Sequence, residues 1–269
     1  MVGTLQFGLS RQELDLILDT GSDWLSVEGT SCTNCEGDLY SPLLSFTNER
    51  LTSTISKRSY GDVEFQGSEW TERVCITASV CVNDFEMFVV ESQKGLDSSV
   101  AGIMGLARRN DLFISNAAYD VGPLYYEALY GSTQISEPTF SIYYAENNKP
   151  SYIDFGEPEQ DAMKNADDLA TIGLLDDFFW STYSSGIAFG NSNSGSNQFY
   201  WGNVNGANYL NKAKAYSIFD SGTSSIYIPD AYFKNVLKEI YKRVGESDYS
   251  LVNGVVNTFC YRNFPTIYF

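Results

Sequence analysis

Two short segments of this 269-residue chain carry one chemical pattern. Residues 16–22 read Leu-Ile-Leu-Asp-Thr-Gly-Ser, and residues 217–223 read Ser-Ile-Phe-Asp-Ser-Gly-Thr. Each is an apolar, strand-like run that ends in an aspartate, followed by a hydroxyl residue, a glycine and a second hydroxyl residue. A single Asp-x-Gly is an ordinary turn signal. Two copies in opposite halves imply that the halves face each other, with the carboxyls of Asp19 and Asp220 within hydrogen-bond reach. Like charges that close cannot both ionise cheaply, so the pair holds one proton between them. One carboxylate then acts as general base on a bound water while the other, protonated, polarises a carbonyl. Gly21 and Gly222 let the two backbones come close. The hydroxyls of Ser22 and Thr223 orient the outer carboxylate oxygens, and Thr20 and Ser221 complete the two supporting triplets.

The rest of the composition narrows the chemistry. The chain has no histidine, which excludes Ser-His-Asp and Cys-His nucleophile systems and His-ligated zinc. A carboxylate pair needs neither, so no metal and no cofactor are expected. With 17 basic against 34 acidic residues and a net charge of −17, nucleic acid and anionic membranes are poor partners. No apolar run reaches the ~18 to 20 residues of a membrane span, and the N-terminus shows no signal peptide. Hydrophobic content of 43% indicates a globular chain. Five cysteines are an odd set. Cys32 and Cys35 form a CxxC that could be a redox pair or half a zinc site, but the Cys75/Cys81 spacing is wrong for the other half of a zinc ribbon. Two local disulfides in an oxidising compartment, Cys32–Cys35 and Cys75–Cys81, are the preferred reading, with Cys260 left over.

The elements that must position the aspartates are mostly short strands. Leu14, Leu16 and Leu18 alternate around Asp15 and Ile17; 140–144 and 151–155 read as two more strands joined by a hairpin loop at 146–150. A helix is expected from Pro123 to about Gly131. Another follows Pro229, where Phe233, Val236, Leu237, Ile240, Tyr241 and Val244 make an apolar stripe and Gly245 stands as the stop. Residues 191–206 read as a long Gly/Ser/Asn-rich surface loop, and the charged run 157–168 as a link between two lobes.

In this order the motifs resemble the pepsin-like aspartic endopeptidases, and the resemblance covers nearly the whole chain. Asp19-Thr-Gly-Ser22 resembles that family's first catalytic loop, and Cys32–Cys35 its small disulfide loop. Ser59-Tyr60-Gly61 resembles the tip of the flap hairpin, whose tyrosine closes over substrate. Ala101 to Ala107, with Ile103-Met104-Gly105, resembles the apolar-apolar-Gly strand that threads the first catalytic loop. Thr139 to Tyr143 resembles the strands joining the lobes, Phe178 to Trp180 an early strand of the second lobe, and Asp220-Ser-Gly-Thr-Ser224 the second catalytic loop. The resemblance implies a mainly β, bilobal pepsin-like β-barrel fold with a catalytic Asp loop in each lobe and a few short helices. The first lobe is expected at 1–155 and the second at 156–269. It implies an endopeptidase that cleaves between large apolar residues at acidic pH, with Asp19 and Asp220 catalytic and with Tyr60, Gly61 and Ile103 at the substrate. A monomer acting on peptides or proteins is expected, in the secretory pathway: lysosome, food vacuole or extracellular space.

Several positions depart from the family pattern. Ser26 stands where an aromatic residue usually supports the flap tyrosine, with Trp24 two residues before it. Asp62 stands where the flap tip carries a small hydroxyl residue, which disfavours acidic substrate residues. Ala101 stands where an aspartate precedes the threading strand. The second lobe is expected to be incomplete, because no second apolar-apolar-Gly strand and no partner for Cys260 follow. The alternative reading is a weak or inactive relative that binds peptides or proteins without cleaving them. A redox or metal protein built on the cysteines is the third.

Overall fold

The computed structural model describes residues 1–97, 99–108, 121–145, 150–158, 170–184, 186–189, 198–200, 215–244, 249–252, 255–258 and 267–268. Cys260, Gly245, residues 146–149 of the expected hairpin loop and nearly all of 157–168 lie outside them. The described chain is mainly β and divides into two compact units. The first is Met1–Trp180 together with Ile218–Ser224; the second is Ser181–Ser217 with Ser225–Phe269.

The first unit is built on one eight-stranded sheet. Its strands are β1 (Val2–Phe7), β2 (Gln12–Asp19), β3 (Leu25–Thr33), β4 (Glu49–Arg50), β5 (Ser56–Tyr60), β6 (Val63–Cys75), β7 (Cys81–Lys94) and β8 (Gly102–Gly105). They run in the order β1-β2-β8-β3-β7-β6-β4, with β5 paired to β6. Alternation in β2 sends Leu14, Leu16 and Leu18 into the core while Asp15 faces water, as period-two patterning requires. That core also takes Phe7, Leu25, Val27, Met87, Met104 and the helix α1 (Tyr125–Gly131). A second apolar cluster of Trp24, Phe65, Phe88, Val90 and Ile103 lies apart from it. Helix α1 begins two residues after Pro123, because Leu124 is still extended at φ −88° and ψ 123°. Strands β9 (Phe140–Tyr143) and β10 (Tyr152–Phe155) form the expected hairpin, with Phe140 opposite Phe155.

Two disulfides are present. Cys32–Cys35 closes a tight loop with Cα atoms 5.7 Å apart. Cys75–Cys81 joins the end of β6 to the start of β7, with Cα atoms 4.0 Å apart, and the Ile76 amide bonds the Val80 carbonyl inside that loop.

Two expectations need correcting. Phe178–Trp180 is not a strand: the Asp176 carboxylate accepts the Phe178 and Phe179 amides, and such a local turn competes with ladder pairing. The stretch 191–206 is not all loop either. Gln198–Tyr200 forms a strand against Gly186–Ala188, because aromatic residues favour the pleated surface even within a polar run.

In the second unit, β11 (Ser181–Ser184) pairs with β14 (Ala215–Ile218), and β12 (Gly186–Phe189) lies between β13 (Gln198–Tyr200) and β17 (Ile267–Tyr268). Strands β15 (Tyr249–Val252) and β16 (Val255–Thr258) make a further pair. Helix α2 (Asp230–Val244) follows Pro229 and buries Val236 and Ile240 with Ile187. Among the described residues no helix is long and apolar enough to cross a membrane.

One buried acid stands out in the first unit. Glu28 on β3 is 1% exposed, and its Oε2 has no hydrogen-bond partner. Burial pushes its carboxyl up to about 7; the Gly37 amide pulls it down and Glu36 pushes it further up. A carboxyl raised in the folded state stabilises most below its unfolded value, and that contribution disappears as pH rises through about 7. Glu28→Gln removes the titration. Its thermal midpoint should therefore gain on wild type by about 3 °C or more between pH ~5 and pH ~8, read by thermal unfolding at both pH values.

Candidate active site

Asp19 is the last residue of β2, and its position follows from the strands on either side. Strand β8 runs parallel to β2, with Asp19 opposite Gly105, and antiparallel to β3, with Ile103 opposite Ser26. Beyond the strand, the amides of Leu106 and Ala107 donate to the carbonyls of Asp19 and Ser22 at 2.7 and 2.8 Å. The Gly105 amide donates to the Trp24 carbonyl at 3.0 Å. The turn from Asp19 to Trp24 is thus threaded by 102–107, as the resemblance implies. Asp23, 8% exposed, accepts the Gly122 amide at 2.7 Å and pins the far side of the turn.

The Asp220 segment, 218–224, belongs to the same compact unit and mirrors this turn. The Asp19 carboxylate accepts the Gly21 amide at 2.9 Å and the Ser22 hydroxyl. The Asp220 carboxylate accepts the Gly222 amide at 2.8 Å and the Thr223 hydroxyl at 2.6 Å. Glycine is required at both turns: a Cβ on Gly222 would lie 2.3 Å from Asp19 Oδ1, and one on Gly21 2.8 Å from the Asp220 carboxyl carbon. No side chain fits there without parting the two acids.

Four hydrogen bonds lock the turns together. The Thr20 amide donates to Ser221 Oγ at 3.1 Å, and the Ser221 amide to Thr20 Oγ1 at 2.9 Å. In return Thr20 Oγ1 donates to the Phe219 carbonyl at 2.8 Å and Ser221 Oγ to the Leu18 carbonyl at 2.6 Å. Each hydroxyl accepts one bond and donates one across the pair. The Phe219 amide is held by the Trp180 carbonyl at 2.9 Å, and the Trp180 indole donates to the Leu106 carbonyl at 2.7 Å. Thr20 and Ser221 were expected only as general support; the backbone acceptors Leu18, Phe219 and Leu106 leave no mark on a sequence, since any residue supplies a carbonyl.

The electrostatics follow from the burial. Asp19 is 8% exposed, and desolvation pushes its carboxyl up to about 6. Ser22 and the Gly21 amide oppose that shift, while the Asp220 carboxyl beside it raises it further. A recess of about 440 Å³, lined by Phe140, Ile142, Trp180 and Phe219, opens beside Asp220. Among the described residues no group of three or more acids or cysteines is placed to hold a metal.

Tyr60 ends β5, and Gly61, at φ +56°, turns the hairpin into β6 with Asp62. The Tyr60 ring packs against Phe65 at 5.7 Å in the second apolar cluster. Ile103 is 4% exposed, in that same cluster.

Residues 1–265 match the family model of the eukaryotic aspartyl proteases. The chain belongs to that family. It is 25% identical to pepsin A of Suncus murinus over 273 residues, covering 99% of this chain and 63% of that protein. It is 27% identical to pregnancy-associated glycoprotein 2 of Bos taurus over 263 residues, covering 96% of this chain and 63% of that protein. Vacuolar protease A of Neurospora crassa is 25% identical over 191 residues, 69% of this chain and 46% of that protein. The chain thus spans 63% of the length of the first two relatives. The crystal structure of the aspartic proteinase from Irpex lacteus has the same fold, with a TM-score of 0.67 at 17% identity, covering 96% of this chain and 68% of that one.

The interlocked turns make a measurable prediction about this aspartyl protease fold. Thr20→Val keeps the shape but leaves the Ser221 amide and the Phe219 carbonyl, both only partly shielded, without their partners, a loss toward the low end of ~1 to 3 kcal/mol per unpaired group. Ser221→Ala strands the Thr20 amide and the Leu18 carbonyl. Because both changes break one interlocked set, the double variant should cost less than the two singles together by about 1 kcal/mol or more. Denaturant unfolding of the four proteins measures this coupling, and strict additivity would show the turns to be held independently.

Proposed function

We propose that this chain is an aspartic endopeptidase that hydrolyses peptide bonds by activating a water between Asp19 and Asp220. The observation that supports it most is the reciprocal hydroxyl bonding of Thr20 and Ser221, which leaves two carboxyls facing each other across two glycines. In this reading Asp19, whose carboxyl burial raises, keeps the pair's proton and protonates the scissile carbonyl oxygen. The Asp220 carboxylate takes a proton from the water as it attacks the carbonyl carbon. The tetrahedral intermediate then collapses as Asp220 gives its proton to the leaving amine and Asp19 takes one back from a hydroxyl on the former carbonyl carbon, which breaks the C–N bond and restores the pair's single proton. Gly21, Ser22, Gly222 and Thr223 hold the outer oxygens throughout, and Tyr60 and Gly61 form the flap over the bound peptide. Ile103 contributes through the strand that threads the Asp19 turn.

Large apolar residues on either side of the cut bond and an acidic pH range belong to the same reading. So do lobes at 1–155 and 156–269, each carrying one aspartate, and a monomer acting on peptides or proteins. Two disulfides and a relative named as a vacuolar protease support a compartment of the secretory pathway, whether lysosome, food vacuole or extracellular space.

The test is degradation of casein or haemoglobin at about pH 4, with and without pepstatin, by wild type, Asp19→Asn and Asp220→Asn. Wild type should cleave and pepstatin should stop it; each variant should fold and retain less than a few per cent of the activity, since neither carboxyl works alone. Wild-type turnover should fall as pH rises through about 6, where Asp19 loses its proton. Peptide binding without cleavage by the folded wild-type protein would instead favour a binding module.

A further inference from the structure

The flap reading leaves open what holds Tyr60 in place. Its hydroxyl is shielded from solvent and makes no hydrogen bond. Ser26, whose hydroxyl is likewise buried without a well-aligned partner, lies close enough to ease the upward push that burial exerts on the Tyr60 hydroxyl. The polar end of the ring is thus held only weakly. The ring is held by its contact with Phe65 and by the strand that carries it, and β5 pairs only with β6 among the described residues.

The inward face of β5 carries one buried residue, and that residue is a cation. Arg58 lies two positions before Tyr60 on the same face of the strand and is 6% exposed. Its guanidinium sits 3.8 Å from the ring centroid of Trp24 and 3.8 Å from that of Phe88. The two rings meet edge-on at 6.4 Å. The charge is balanced by Glu69, 3.1 Å from Nη2, and Nη1 donates to Ser56 Oγ at 3.0 Å. A planar guanidinium between desolvated aromatic faces is among the stronger cation–π arrangements. Trp24 belongs to the Asp19 turn itself: its carbonyl accepts the Gly105 amide, and Gly122 packs so closely on it that a Cβ there would lie 2.7 Å from its ring. The stack therefore runs from the catalytic turn, through Arg58, to the strand that presents Tyr60.

We infer that Arg58 is a positioning residue that ties the flap to the Asp19 turn and acts on peptide hydrolysis through Tyr60. The kinetic part of this inference rests on the endopeptidase reading; the structural part does not. Burying a charge is costly compared with an apolar side chain of similar volume, even when, as here, its carboxylate partner is partly exposed, so the buried Arg58 fits a positional role better than a contribution to stability.

The experiment compares wild type, Arg58→Met and Arg58→Lys by amide deuterium exchange, with kinetics on a peptide substrate alongside. Exchange of the amides of 56–66 should be about tenfold faster or more in Arg58→Met. It should be raised less in Arg58→Lys, which keeps charge and length without the planar stack. The amides of β1 and β2 should not change. In the same proteins Arg58→Met should lower kcat/KM about tenfold, while in a Tyr60→Ala background it should cost nothing further. Unchanged flap exchange in the folded variants overturns the inference. Multiplicative kinetic losses, equal with and without Tyr60, overturn its action through that residue. If wild type cleaves nothing, the endopeptidase reading fails and the exchange result alone decides whether Arg58 ties the flap. If the methionine variant does not fold, the lysine variant carries both measurements.

Discussion

Two hydroxyls, Thr20 Oγ1 and Ser221 Oγ, hold the arrangement together, because each accepts an amide from the opposite turn and donates to a carbonyl beside the opposite aspartate. A lone pair of turns carrying carboxylates would drift apart, since the charges repel and nothing apolar lies between them. The four reciprocal bonds oppose that repulsion with partly buried groups, where an unmade hydrogen bond costs more than in open water. Everything else at the site is built around this clasp. The glycines let the acids approach, the outer hydroxyls turn them, and β8 threads the Asp19 turn so that its own backbone groups are satisfied.

Burial then sets the protonation. Asp19 lies deep enough that desolvation outweighs the amide and hydroxyl that favour its charged form. That ordering matters in a chain without histidine: the proton that general acid chemistry needs must be stored on a carboxyl, and only a buried carboxyl stores one well above its ordinary range. Glu28 is raised by the same physics on β3, which β8 separates from the Asp19 strand, and there it weakens the fold at neutral pH without joining the chemistry. Both of these raised acids give up their own share of stability as pH rises through about 6 and about 7.

The parts legible in the sequence are those in which residue type forces geometry. The paired Asp-hydroxyl-Gly-hydroxyl turns, the β2 alternation, the helix after Pro229 and the short cysteine loops all belong here. What was not legible depends on backbone or on distant partners. Phe178 to Trp180 is expected as a strand by resemblance to the family, yet the Asp176 carboxylate captures the Phe178 and Phe179 amides and bends the segment. Gln198–Tyr200 reads as loop by its neighbours, yet finds a partner strand. Arg58 in an exposed-looking Ser-Lys-Arg-Ser run gives no hint that it is buried, because the rings that enclose it come from 30 or more residues away on either side. The position of Ser26 did signal that the tyrosine's usual aromatic support is absent; it did not say that support passes to Trp24 through an arginine.

The central claim is that two carboxyls are held against each other and that Asp19 keeps a proton because it is buried, with the Asp220 carboxyl adding to the shift. Carbon-13 NMR titration of protein labelled at the aspartate carboxyls tests this without reference to any substrate, and leaves Glu28 silent. One aspartate resonance should titrate near 6, should vanish in Asp19→Asn, and should move down in Asp220→Asn while staying above the ordinary aspartate range, because burial remains after the neighbouring charge is gone. If every aspartate carboxyl titrates below about 4.5, or if the Asp19 resonance does not respond to the loss of the Asp220 carboxyl, the two acids do not form a coupled pair and this account of the site is wrong.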